Sequence, residues 1–319
     1  MSGKLIGLSL HRPDKELDSR RCYHLAEIGK RLYSCLGDED AGRGPSTDKV
    51  RYFCRQTCRW IQRVCSRTMN TSAFTIPSRK AIPGPELSLL QEALKSGLPI
   101  GKGEATYFHE PRLPTGFPDL VAVYSRQSTV TLTPSRQKLD VCHLRILFHI
   151  HSVGTTSLEG LVNALMWKSE YMSSYLHDLN ESNLVHIRGK NIRPKALRGA
   201  FAVSKIVAVE AKIDHWREAL AQAVANTWFA SHSYILLPKG QGAIRAASAA
   251  TQFGVGVLIF DGVKTKPLVH SSRFQIPASY GSWLVNEWAI RRWFFGETND
   301  RPRGSPSGFS RGIEHSTAD

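Results

Sequence analysis

The chain has 319 residues, with 42 lysines and arginines against 27 aspartates and glutamates, which gives a formal net charge of +15. This excess predicts a polyanionic partner such as nucleic acid, because a basic surface raises affinity for polyanions without specifying a fold. No apolar run approaches the roughly 18–20 residues that cross a bilayer, and the amino end does not have the pattern of a secretory signal. These features argue against a membrane protein, so we expect a cytoplasmic protein, associated with the nucleoid of a prokaryote.

Residues 1–80 are predicted to form a basic helical module rich in cysteine and arginine, since they hold 16 lysines and arginines against 8 aspartates and glutamates. Its second helix carries an arginine at every fourth position, and such a positive stripe is suited to lie along phosphates. The residues of this stripe are Arg51, Arg55, Arg59, Arg63 and Arg67. An ordinary solvated helix face explains the same pattern, so both interpretations stay open.

The six cysteines are too few, without a secretory signal, to indicate a disulfide scaffold. A zinc site is one alternative, although the spacing is not a usual paired-ligand signature. Its ligands would be Cys54 and Cys58 with Cys22, His24 or Cys35. We favour buried thiols that pack as small hydrophobic groups.

The rest of the sequence predicts an α/β protein in several parts. Residues 81–135 and 196–272 show a helix, a hairpin and then alternating strands and helices, which predicts one α/β core. Between them, residues 136–195 follow the order of a winged helix-turn-helix, with three helices and a β-hairpin. We expect residues 273–296 to form a helix that packs on the core, and residues 297–319 to be disordered.

Charged residues at two predicted strands carry the chemistry. Asp119 follows Pro118 in the hairpin, and Glu210 and Lys212 follow an apolar strand at positions 206–209. The two-residue period of a strand projects Glu210 and Lys212 to the same side. Neighbouring carboxylates bind hard cations such as Mg²⁺ or Mn²⁺, and a lysine orients or deprotonates the attacking water and offsets phosphate charge. The pattern therefore predicts phosphodiester hydrolysis.

In their order along the chain, Pro118-Asp119 and Glu210-Ala211-Lys212 resemble the PD-(D/E)xK nuclease superfamily. This group contains many restriction endonucleases, archaeal-type Holliday-junction resolvases and transposon end-cleaving endonucleases. The resemblance covers roughly residues 82–133 and 195–269. It implies a restriction-endonuclease-like core, with a mixed central sheet flanked by helices, and a metal-dependent endodeoxyribonuclease activity.

The resemblance also implies roles for individual residues. Asp119 and Glu210 would ligate Mg²⁺, with the Ala211 carbonyl as a third ligand, and Lys212 would be the catalytic lysine. This chain departs from the family pattern in one respect: 91 positions separate Asp119 from Glu210, where the family usually has a short connection. An insertion is tolerated when its ends lie close together, and the winged-helix segment fills the interval.

Two further residues match the family less specifically. Glu86 fits the acid that the family's first helix often supplies to the metal, although the helix dipole alone favours an acid there. Glu92 and Glu110 are substitutes for this role. Gln222 matches a glutamine that often lies near the site, and the alternative is a buried amide that satisfies the backbone.

In the winged-helix segment, the third helix and the hairpin are the parts that would meet DNA, in the major groove and at the backbone or minor groove respectively. The residues are Lys168, Ser169, Tyr171, Met172, Ser174 and Tyr175 in the helix, and His186, Arg188, Lys190 and Arg193 in the hairpin. The helix is poor in the side chains that read bases, so strong sequence specificity is not expected. A protein-docking role is the alternative for this segment.

The favoured hypothesis is a Mg²⁺-dependent DNA endonuclease, serving restriction, phage defence or mobile-element processing by analogy with the family. Because one nuclease site cuts one strand at a time, a homodimer or a partner protein would be needed for double-strand cleavage. The alternative is a non-catalytic DNA-binding or assembly protein with a winged helix and a purely structural nuclease-like body.

Overall fold

The computed structural model describes residues 78–79, 81–126, 130, 132–272, 275–276 and 279–296. Predictions for the first 77 positions and for the carboxy-terminal tail lie outside the described residues. In chain order the strands are β1 (Ala105–His109), β2 (Leu120–Ser125), β3 (Val185–Arg188), β4 (Asn191–Pro194), β5 (Val203–Ala211), β6 (His232–Pro238), β7 (Gly256–Phe260) and β8 (Thr265–Val269). The helices are α1 (Pro85–Lys95), α2 (Val141–Val153), α3 (Leu158–Leu165), α4 (Ser169–Glu181), α5 (Leu197–Ala200), α6 (Trp216–Asn226), α7 (Gln241–Thr251) and α8 (Tyr280–Phe294). No described helix is long and apolar enough to span a membrane.

Six strands form one mixed sheet in the order β1-β2-β5-β6-β7-β8. The central strands β5, β6 and β7 are parallel, while β1, β2 and β8 join by antiparallel pairing. Strands that helices cover on both faces read as continuous apolar runs, and Ile206 to Val209 in β5 are fully buried. The predicted α/β class, with a mixed central sheet flanked by helices, is confirmed.

The two faces of the sheet are covered by different helices. On one face, α1 packs Leu89 and Leu90 against apolar side chains of β2, β5 and β6. On the other face, α6 and α7 cover β6 and β7. The same face of β1, β2 and β5 shares one hydrophobic cluster with α2, α4 and α8, in which Phe108, Leu144 and Trp283 are buried. The segment between β2 and β5 is therefore packed directly on the sheet.

That segment contains the helices α2, α3 and α4 and the antiparallel hairpin β3-β4, in the order expected from the sequence. The Ser157 side chain caps α3 by accepting a hydrogen bond from the Gly160 backbone N–H at 3.0 Å. Thr156, between α2 and α3, pairs with Ile192 of β4 and adds a third, one-residue element to the hairpin. We call residues 126–202 the insert.

The ends of the insert meet, because Ser125 at the end of β2 pairs with Val203 at the start of β5. The Arg126 backbone N–H also donates to the Ala202 carbonyl at 2.7 Å. Strand β8 was not predicted, since its short segment contains Pro267. Proline is tolerated in an edge strand because it lacks only one donor of the ladder.

Candidate active site

The ends of three neighbouring strands place acidic residues beside each other. Leu120 of β2 pairs with both His109 of β1 and Val209 of β5. Continuing this register by one residue aligns Asp119 with Glu210. The tight turn that joins β1 to β2, closed by backbone bonds between Leu113 and Gly116 at 2.8 and 3.0 Å, returns the chain to this edge.

Hydrogen bonds join these residues into one group. Asp119 Oδ2 accepts from the Ala211 backbone N–H at 2.7 Å. Lys212 Nζ lies 3.1 Å from Glu86 Oε2, which the first turn of α1 supplies. We call Glu86, Asp119, Glu210 and Lys212 the sheet-edge cluster. The structure thus brings together four residues that the sequence analysis selected as candidate catalytic or metal-binding residues.

The two carboxyl groups are difficult to ionise together. Burial raises the pKa of Asp119 to about 6, against the lowering effects of the Ala211 N–H and Lys212. Burial and the neighbouring Asp119 charge raise the pKa of Glu210 to about 8, although a hydrogen bond from Asn226 opposes this. At neutral pH the pair therefore retains about one proton.

Lys212 is held as an ammonium ion. Burial opposes its charge, but the Glu86 carboxylate, with Glu218 and Asp119 nearby, raises the pKa of Lys212 above its usual value. The side chain keeps 17% of its surface exposed, so the charge faces the solvent side of the edge. This arrangement suits neutralisation of a phosphate better than removal of a proton from water.

A divalent cation fits this donor set. The pKa values of Asp119 and Glu210 stay raised although Lys212 is near, because burial keeps water from both groups, and a hard cation with oxygen ligands would supply further positive charge that favours their ionised forms. In the part of the chain that the structure describes, no group of three or more His, Cys, Asp or Glu side chains is placed to hold a metal. A cation here would therefore have two carboxylate ligands, with waters and substrate phosphate completing its shell, as is common for Mg²⁺.

Glu110 is a residue at this edge that received little weight in the sequence analysis. Its backbone N–H donates to the Asp119 carbonyl at 3.1 Å, and its charge contributes to the raised pKa of Asp119. Its side chain accepts a hydrogen bond from Arg79 Nε. By contrast Glu92, the other substitute, is ion-paired with Lys95 on α1.

Helix α6 approaches the cluster through Asn226 and not through Gln222. Asn226 Nδ2 donates to Glu210 Oε1 at 2.6 Å, and both residues are buried. Gln222 is exposed and, among the described residues, its side chain makes no hydrogen bond to the cluster. Because the two positions are four apart on one helical face, a search for polar residues one turn from Gln222 would have found Asn226.

A surface cavity of about 390 Å³ lies at the start of α6, lined by His215, Trp216, Arg217 and Glu218. Glu218 influences the pKa of Lys212, so the cavity is next to the sheet-edge cluster. The Arg217 guanidinium lies 5.0 Å from the centre of the Trp216 ring. An aromatic ring and a cation therefore line this cavity.

The predicted DNA-facing residues of the insert have different environments. Exposed positions in this set are Lys168, Ser169, Tyr171, Ser174, Arg188, Lys190 and Arg193. His186 is half-buried, and Tyr175 packs its ring against His143 and Trp167. The prediction that Met172 would face DNA is wrong, because Met172 is fully buried in the hydrophobic core. Met172 points inward because α4 must bury one face in the hydrophobic cluster that it shares with α2, α8 and the sheet.

Arg55, Arg59 and Arg63, together with the alternative zinc ligands of the basic module, lie outside the described residues. Comparison with protein-family models, with curated proteins and with solved structures finds no match.

Proposed function

We propose that the chain is a metal-dependent DNA endonuclease with a restriction-endonuclease-like core of the PD-(D/E)xK type. One observation carries the proposal: the Asp119 carboxylate accepts a hydrogen bond from Ala211, 92 positions away. This contact brings the Pro-Asp and Glu-x-Lys motifs to one edge, and a chance occurrence of two short motifs gives no reason for such convergence.

Each residue of the edge has a role in phosphodiester hydrolysis. Asp119 and Glu210 hold Mg²⁺ or Mn²⁺, with Ala211 as the main-chain ligand that the family resemblance implies. The bound cation supplies a Lewis acid that stabilises negative charge on the phosphate. Lys212, kept charged by Glu86, orients the scissile phosphate and stabilises the charge that develops during attack. Glu86 acts mainly through Lys212, since this ion pair occupies its carboxylate.

DNA is the proposed substrate because the chain is strongly basic and the insert exposes Lys190, Arg188 and Arg193 around its hairpin. We infer that the insert is a winged helix whose hairpin contacts the DNA backbone. A homodimer or partner protein then supplies the second site for cutting both strands. The proposed setting is a prokaryotic cytoplasm, in restriction, phage defence or mobile-element processing.

The second candidate is a non-catalytic DNA-binding or assembly protein. One observation favours it: within the described residues no three-ligand metal group is present. It leaves unexplained why two buried carboxyl groups with raised pKa values lie beside an ammonium ion, an arrangement more frequent at functional sites than elsewhere.

Plasmid cleavage separates the two candidates. With Mg²⁺ or Mn²⁺ the purified protein is expected to nick supercoiled DNA, and Asp119→Asn and Lys212→Met are expected to lower the rate by about a hundredfold or more while leaving DNA affinity largely intact. Glu92→Gln is the control, because it removes an acid of α1 that is ion-paired away from the cluster. Equal cutting by all four proteins would indicate a contaminant and reject the proposal, and no cutting by the wild type under any metal condition favours the second candidate.

A further inference from the structure

A second cavity lies on the α1 side of the sheet, toward the start of β5. Its volume is about 430 Å³, and its wall includes Lys205 and Tyr234. Lys205 precedes Glu210 by five positions in β5, which corresponds to about 17 Å along the strand. Glu210 also points to the opposite face, where Asn226 of α6 meets it. This cavity is therefore separate from the sheet-edge cluster.

The lining of this cavity carries only positive or neutral groups. Four of its nine residues are lysine or histidine, and none is acidic. The basic residues are Lys102, Lys205, His232 and His270, with hydroxyl groups from Tyr234 and Ser271. Ammonium, imidazole and hydroxyl groups are all donors to phosphate oxygens, so the cavity is chemically suited to an anion.

Internal contacts hold the wall in place. Lys205 Nζ donates to the Ile100 carbonyl at 2.5 Å and lies 5.5 Å from the centre of the Tyr124 ring. At Gly101 an added Cβ would lie only 2.5 Å from the Tyr124 hydroxyl, so glycine allows this loop to pack onto the tyrosine. The Tyr234 hydroxyl in turn accepts a hydrogen bond from the Ser271 backbone N–H. These contacts restrain Lys205, Gly101 and Tyr234 in the wall of the cavity.

We propose that this cavity binds a small phosphorylated ligand of nucleotide size through its phosphate groups. Its volume lies within the range of roughly 300–1,000 Å³ that is typical of small-molecule sites. The basic and hydroxyl groups of the lining surround one open depression of the surface, which suits a compact anion, whereas a DNA backbone is usually followed by an extended groove or a convex surface. The site is independent of the proposed nuclease function.

Calorimetric titration of the full chain with pyrophosphate and with ATP, in EDTA, tests the proposal. The wild type should show saturable binding with a Kd below about 1 mM. Lys102→Glu and His270→Glu, both at exposed positions, should each weaken binding about tenfold or more. Lys264→Glu is the matched control, because it makes the same charge change at an exposed turn outside the cavity.

Three results would overturn the proposal. The first is a lack of saturable binding of pyrophosphate and ATP to the wild type. The second is a loss of affinity for these ligands in Lys264→Glu that equals the loss in Lys102→Glu. The third is a loss of duplex DNA affinity in Lys102→Glu when neither pyrophosphate nor ATP binds the protein. Asp119→Asn should bind both ligands as the wild type does, which keeps this test distinct from that of the nuclease site.

Discussion

The buried carboxyl group of Glu210 accepts a hydrogen bond from the Asn226 side chain, in addition to one from the Asp119 backbone N–H. Asn226→Ala removes that donor, and we expect the unfolding free energy to fall by about 1–3 kcal/mol and Mg²⁺ affinity to fall about tenfold. Chemical denaturation and a Mg²⁺ titration measure the two effects. Asn163→Ala, at an exposed position of α3, should change neither quantity. Equal losses in both variants would contradict the role of Asn226.

Under the proposed function, protons and cations compete for Asp119 and Glu210. Since both pKa values are raised in the fold, to about 6 and about 8, the native state binds more protons than the unfolded chain between about pH 4 and 8. In EDTA the unfolding free energy should therefore fall by several kcal/mol as pH rises through this window.

Urea denaturation at pH 5 and pH 8 measures this slope, with EDTA or with Mg²⁺ present. Mg²⁺ should restore most of the lost stability at pH 8, because it replaces the proton as the compensating charge. Asp119→Asn should flatten the pH dependence and reduce the effect of Mg²⁺. A wild-type slope that Mg²⁺ leaves unchanged would contradict cation binding at this edge.

At the scale of single residues, the sequence predicted Asp119, Glu210 and Lys212 because their signal is local: Asp119 directly precedes the apolar strand β2, and Glu210 and Lys212 lie at or just beyond the end of the apolar strand β5. Glu86 needed only its place in the first turn of a helix. The contact of Asn226 with Glu210 was not predicted, because it depends on which face of α6 is turned toward the sheet. That orientation is determined by tertiary packing and cannot be read from a short motif.

Among the elements, α8 connects both ends of the insert through inward-facing polar groups. Glu287 accepts a hydrogen bond from Arg136 Nη2 at 3.1 Å, and the same Nη2 group donates to the Ala200 carbonyl at 2.7 Å. Asn286 Oδ1 accepts from the Ala202 backbone N–H at 2.8 Å. Arg136 precedes α2 and Ala202 precedes β5, so a single helix fixes the entry and the exit of the insert.

Breaking the Arg136–Glu287 pair should therefore be costly. Glu287→Leu leaves a buried guanidinium without its carboxylate, and we expect a loss of about 3–5 kcal/mol in unfolding free energy. The double variant Arg136→Met with Glu287→Leu should recover much of that loss, because no charge is then left unpaired. Chemical denaturation of the four proteins in a double-mutant cycle measures the coupling, and simple additivity would contradict it.

The sequence predicted most elements because helix and strand periods are local. The position of α8 on the core was predicted from its tryptophans and phenylalanines, but its inward polar residues were not, since their partners lie far away in the chain. Strand β8 was missed for a different reason. Pro267 argues locally against a strand, and β8 forms because the outer edge of β7 is available for antiparallel pairing.

At the scale of the whole molecule, charge should govern DNA affinity. Replacing Arg188, Lys190 and Arg193 with glutamate should weaken binding and reduce the slope of log affinity against log salt by about 2 to 3, if each side chain contacts one phosphate. Anisotropy titrations of a labelled duplex in EDTA, at several salt concentrations, measure both. The control replaces Lys95, Lys264 and Arg245, which are also exposed but lie outside the insert. An equal effect in the control would show that only net charge matters.

The sequence predicted a separate unit of helices and a hairpin between the two motifs, but it did not show how the ends of that unit meet. Closure of the insert depends on direct pairing of Ser125 with Val203 across the sheet. Likewise, the net charge of +15 predicted an anionic partner but not the surface that meets it, because charge has no sequence period that reveals position in space.

The same placement of the insert determines when the edge is completed during synthesis. Asp119 leaves the ribosome before the insert, whereas Glu210, Lys212 and strand β5 follow it. A nascent chain that ends within the insert therefore has Glu86 and Asp119 of the sheet-edge cluster but neither Glu210 nor Lys212. Under the proposed function, the ability to cut DNA arises only after the unit that positions DNA has been made, which protects the cell from an unguided fragment.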